Sequence, residues 1–80
     1  MAKDEKLTSR RAYRAVVDRA GVSRRKLSIE MGRTPNYLNQ SLAQGGDPNL
    51  GLFVEAASVA GWKVYVEREG ERIEIVPEER

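Results

Sequence analysis

The side chains best suited to chemistry cluster between Arg24 and Gln40, where the guanidinium groups of Arg24 and Arg25 precede the amides of Asn36, Asn39 and Gln40. An Asn or Gln amide carries a donor and an acceptor on one plane, the pattern that matches N6 and N7 of adenine in the major groove of duplex DNA. Arginine is matched instead to phosphate oxygens. Asn36 and Gln40 lie four residues apart, so a helix would place them on one face. This is the chemistry of recognition rather than of turnover. The other candidate cluster, Glu67, Glu69, Glu71 and Glu74, would be scattered by strand alternation and a turn over exposed surface, where nothing shifts a carboxyl group toward acid–base work. The sequence holds neither His nor Cys, which removes the common zinc ligands, a thiolate nucleophile and any disulfide. No enzymatic activity, metal or cofactor is expected.

Charge is distributed in a way that fits a polyanionic partner. The net charge is +2 over 80 residues, yet residues 1–45 carry ten Lys/Arg against four acids, net +6, and the remainder is net −4. One half suits a polyanion and the other would be repelled by it. A chain of this length buries only about 60% of its unfolded surface, enough for one core. No apolar run approaches the roughly 18 residues of a membrane span, and the segment from Met1 to Ser9 is charged rather than signal-like. A cytoplasmic protein without membrane contact is expected.

The elements that must position these residues are read from periodicity and punctuation. From Thr8 to Ala20, Ala12, Tyr13, Val16, Val17 and Ala20 recur at helical spacing, with Thr8 or Ser9 as N-cap and Gly21 as terminator. Ser23 caps a second, two-turn helix carrying Leu27 and Met31, Val22 is placed to staple onto Leu27, and Gly32 ends it. Thr34 is expected to cap a third helix with Pro35 at its first position and Leu38 and Leu42 inward. After a turn at Gly45, Gly46, Asp47 and Pro48, Asn49 caps a fourth helix carrying Leu50, Phe53, Val54, Ala57 and Ala60, ended by Gly61. Leu27, Leu38, Leu42, Phe53 and Val54 are assigned to the core.

Beyond Gly61 the period changes from 3.6 to 2, with Trp62, Val64 and Val66 on one face and Lys63, Tyr65 and Glu67 on the other. A turn at Glu69 and Gly70 would set Val64 opposite Ile75, Val66 opposite Ile73, and Glu67 facing Arg72. The expected fold is therefore mainly α with a C-terminal β-hairpin: four helices followed by two antiparallel strands. Its organisation is expected to be a flexible N-terminus (1–7), a helical domain (8–61), a hairpin (62–76) and a frayed tail (77–80).

A short helix, a tight turn and a second capped helix form the unit that delivers its second helix to the major groove. The run Leu27, Ser28, Gly32, Arg33, Thr34 and Leu38, continued by Pro48, Asn49, Leu50, Phe53, Ala57 and Gly61, resembles the lambda-repressor and Cro-type helix-turn-helix family, often called the XRE family. Arg33 stands where that family usually has an aliphatic residue, and Arg24 where it often has glutamine. The resemblance implies a lambda-repressor-like fold and base contacts from Asn36 and Gln40 first. Tyr37 follows, through a phosphate or a thymine methyl, then Pro35 by apolar contact. Asn39 comes last, because the matching family position often faces the preceding helix. Phosphate contacts are expected from Arg24, Arg25, Thr34, Arg33 and Asn49. The partner implied is double-stranded DNA.

A two-stranded ribbon alone is marginal in water. The face formed by Trp62, Val64, Val66, Ile73 and Ile75 can pack on the chain's own helices, or a hairpin edge can pair with a two-fold mate, which resembles dimerisation in Cro-like proteins. Both can hold together. The expectation is a homodimeric transcriptional repressor reading a pseudo-palindromic operator with its third helix. The alternative is an antitoxin or phage accessory protein that binds a protein partner through the hairpin.

Overall fold

The structure is a computed structural model describing residues 4–45 and 47–78. Expectations that fall on residues 1–3, Gly46 and residues 79–80 lie outside the described residues. Four helices, α1 (Ser9–Asp18), α2 (Arg24–Glu30), α3 (Tyr37–Ala43) and α4 (Leu50–Val59), precede an antiparallel pair, β1 (Val64–Arg68) and β2 (Glu71–Ile75).

Three helix starts are fixed by local side chains. Thr8, Ser23 and Asn49 hold extended backbone conformations, and their side-chain oxygens accept the N–H groups of Arg11, Lys26 and Leu52 at 3.4, 3.1 and 2.8 Å. Each satisfies a donor that the helix itself leaves open. Two ends are fixed by glycine. Gly32 has φ of 75°, and the N–H groups of Gly32 and Arg33 donate back to the carbonyls of Ile29 and Ser28, both at 2.9 Å. Gly61 has φ of 90° and does the same for α4, with Trp62 donating to Ala57. Only glycine adopts this backbone at low cost, so both helices stop there.

The start of α3 differs from the sequence reading. Pro35 and Asn36 belong to a turn closed by the Tyr37 N–H donating to the Thr34 carbonyl at 3.1 Å, and the helix begins at Tyr37. Thr34 is not the cap, and Asn36, at the cap position, makes no capping bond through its side chain. The partner comes from another helix instead. Ser28, fully buried on α2, accepts the Leu38 N–H at 3.1 Å and donates to the Arg24 carbonyl at 2.8 Å. One hydroxyl thus closes α2 internally and fastens it to the first turn of α3.

The core lies among the four helices, with Tyr13 and Val17 of α1, Leu27, Met31, Leu38, Leu42 and Ala56 forming one buried cluster. Val54 and Ala57 are also buried, and Phe53 packs against the cluster half-buried. Leu50, the first residue of α4, lies at the edge of the bundle and remains 59% exposed. Tyr13 is completely buried, and its hydroxyl shares a 3.0 Å hydrogen bond with Ser41 of α3. Burial pushes the phenol's pKa up, partly opposed by that bond.

The hairpin has the register read from the sequence, with Val64 opposite Ile75, Val66 opposite Ile73 and Glu67 opposite Arg72. Only its base meets the helices. Val64 and Ile75 are half-buried, whereas Val66 and Ile73 remain 50% and 59% exposed. Trp62 precedes β1 and turns toward α1, where its indole N–H donates to the Val16 carbonyl at 3.1 Å.

Candidate nucleic-acid interface

The α2–turn–α3 unit carries most of the candidate residues, and its rigidity follows from three anchors. The Ser28 bond to Leu38 holds the first turn of α3, the Tyr13–Ser41 bond holds its middle, and Leu38 and Leu42 are buried beneath it. The opposite surface is left outward. Pro35, Asn36, Asn39 and Gln40 are exposed, and the side chains of Asn36 and Gln40 have no hydrogen-bond partner among the described residues. Two unpartnered amides, one at the N-cap of α3 and one within it, on a helix fixed from behind, can pair with the edges of bases.

Tyr37 is half-buried, and the guanidinium carbon of Arg33 lies 4.8 Å from its ring centroid. Arg33 also donates from Nη2 to Glu55 Oε1 of α4 at 3.0 Å, so it bridges the turn to the fourth helix while stacking on α3. Together with Asn49, these two residues line an open cleft of about 620 Å³ that reaches Ile75 of the hairpin. Asn49 is exposed, but its side-chain oxygen is taken by the Leu52 N–H, leaving its amide hydrogens to donate. Thr34 is exposed with its carbonyl committed to the turn.

The two neighbouring arginines differ. Arg25 is exposed and has no ion-pair partner among the described residues. Arg24 is half-buried and donates from Nε and Nη2 to the two carboxylate oxygens of Asp18, both at 2.9 Å, and from Nη1 to Asn39 Oδ1 at 3.3 Å. The bidentate bond holds the Asp18 carboxyl below its ordinary range, against some loss of hydration. Asp18 and Glu55 were not singled out in the sequence. They act on Arg24 and Arg33 from positions 6 and 22 residues away, and no local motif marks them.

Of the residues assigned to a dimer interface, Trp62 is engaged with α1 and Val64 and Ile75 with the base of the hairpin, while Val66 and Ile73 stand open. Among the described residues no group of His, Cys, Asp and Glu could hold a metal ion, and no helix is long and apolar enough to cross a membrane. No protein-family model matches this chain, and no curated protein or solved structure is significantly similar to it. Four helices followed by a two-stranded hairpin make a topology broadly compatible with helix-turn-helix folds.

Proposed function

We propose that this chain is a lambda-repressor and Cro-type DNA-binding protein that reads duplex DNA with α3 and acts as a dimeric transcriptional repressor. The observation that carries the reading is the pair of exposed, unpartnered amides of Asn36, at the N-cap of α3, and Gln40, within α3, a helix whose opposite side is anchored by Ser28, Tyr13 and two buried leucines. A helix held from behind presents its amides at a fixed spacing, which base recognition requires. Pro35, Tyr37 and Asn39 complete the base-facing set, and Arg25, Arg33, Thr34 and Asn49 supply phosphate contacts around it. Two-fold pairing through the hairpin would set two α3 helices about 34–36 Å apart, one turn of DNA. The protein so described is cytoplasmic and non-enzymatic.

The test is selection from a random duplex pool with purified protein at about 150 mM salt. An enriched inverted repeat with half-sites one helical turn apart supports both the reading helix and the dimer, and a pool without enrichment rejects sequence-specific binding. Affinity for the selected site should fall steeply with salt through counterion release. A second reading, in which the protein is an antitoxin or phage accessory factor bound to another protein, is favoured by the open Val66 and Ile73 side chains on an otherwise acidic hairpin. It predicts a stable hetero-complex through that surface.

A further inference from the structure

Arg24 stands beside Arg25 in sequence but not in circumstance. Its side chain is 28% exposed, against 41% for Arg33 and 52% for Arg19, and all three of its nitrogens donate within the chain. Asp18 occupies the Nε and Nη2 edge through both carboxylate oxygens. A phosphate approaching that guanidinium would meet a carboxylate already seated on it, whereas one approaching Arg25 would not. The third contact reaches across to α3, where Asn39 is exposed and belongs to the surface that faces outward.

We infer that Arg24 is a positioning residue for Asn39, fixing which end of that amide is offered to a base, and is not a phosphate contact; the inference rests on the DNA-reading proposal above. A guanidinium has donors only, so the amide must turn its oxygen toward Arg24 and its NH₂ group away. The outward group is then a donor, suited to the acceptors guanine N7 and O6, adenine N7 or thymine O4, and unsuited to the amino group of cytosine. Asp18 fixes the guanidinium that fixes the amide. The chain of contacts runs from the end of α1 through the start of α2 to the reading surface of α3. Without Arg24 the amide of Asn39 is free to flip and offer either end, and discrimination at its base pair should relax.

The experiment uses the full chain and the duplex selected by the wild-type protein, with single-base variants of that duplex titrated by fluorescence anisotropy across a salt series. Arg24→Ala should reduce discrimination at one base pair by about tenfold while leaving preferences elsewhere unchanged. Asn39→Ala should lose discrimination at that same base pair, and the double variant should lose no more than either single one. Arg24→Lys keeps the charge but not the planar fork, so it should behave as Arg24→Ala does. The salt slope should stay at the wild-type value in both Arg24 variants, whereas Arg25→Ala should lower it by about 0.9. The inference is overturned if Arg24→Ala lowers the salt slope as Arg25→Ala does, with an unchanged base profile and recovery in Arg24→Lys. Asn39→Ala keeps the test decisive if Arg24→Ala folds poorly, because Asn39 is exposed: loss of discrimination at a base pair that Arg24→Lys leaves untouched also overturns it. A wild-type protein that selects no motif removes the DNA reading itself, a failure visible before any variant is made.

Discussion

The helical part and the hairpin solve the same problem to different degrees. In the helices, apolar side chains from all four elements meet in one cluster, and the buried Ser28 hydroxyl has two partners. In the hairpin, strand pairing is complete and the register is unambiguous, yet Val66 and Ile73 face solvent. Backbone pairing therefore does not by itself bury a sheet face; something must cover it. The contrast teaches that the helices owe their stability to their own interior, while the outer hairpin leaves apolar side chains that the helices do not cover.

The sharpest way to break that comparison is to remove one apolar side chain from each region. Leu38→Ala should cost about 2–5 kcal/mol in urea denaturation, because the side chain is completely buried and a cavity remains. Ile73→Ala, measured at low protein concentration, should change monomer stability by less than about 0.5 kcal/mol. Equal losses would mean that the hairpin is packed as tightly as the helices. Ser28→Ala comes next, with an expected loss of about 1–3 kcal/mol, since it leaves the buried Leu38 N–H without an acceptor. It should also weaken DNA binding, because the first turn of α3 loses its tie to α2.

A joint Val66→Ser and Ile73→Ser variant sharpens the other side. Sedimentation equilibrium should show the wild-type protein as a dimer at micromolar concentration and the variant as a monomer with an unchanged melting curve at high dilution. A monomeric wild-type protein would end the two-fold reading. Gly51→Ala should raise stability by about 0.5–1 kcal/mol, as the glycine sits within α4 and an added Cβ would meet only Asn49 Oδ1, at an ordinary 3.5 Å. Self-association should not change with it. The smallest effect concerns Asp18, whose depressed carboxyl pKa means that the Arg24 pair contributes fully above the unfolded value of about 3.9 and is lost as pH falls through the folded value. The pair is partly exposed, so less than about 1 kcal/mol is at stake. Acid titration of Asp18→Asn should lack that component.

Much of this was legible because the determinants are local. Thr8, Ser23 and Asn49 cap the helices they precede in sequence, Gly32 and Gly61 end the helices they follow, and alternation set the hairpin register residue for residue. What could not be read is what arrives from far along the chain. Thr34 and Pro35 look like a cap and a first helical residue, but the N–H that needed capping at Leu38 is met by Ser28, ten residues earlier. Leu50 has the right spacing for the core, yet its place at the very start of α4 leaves it at the rim. The carboxylates that meet Arg24 and Arg33 in the fold, Asp18 and Glu55, lie 6 and 22 residues away and carry no local signal. Spacing shows which side chains share a face; it does not show what they meet there.

Trp62 gives the molecule an intrinsic reporter. It is the sole tryptophan, sited just before β1, and its indole is bonded to a backbone carbonyl of α1. Emission from this fluorophore therefore responds to the junction of helices and hairpin rather than to the helical interior. Any ligand, partner or variant that pulls the hairpin away would redden its spectrum while helical circular dichroism stays constant, so the two signals together separate local opening from global unfolding.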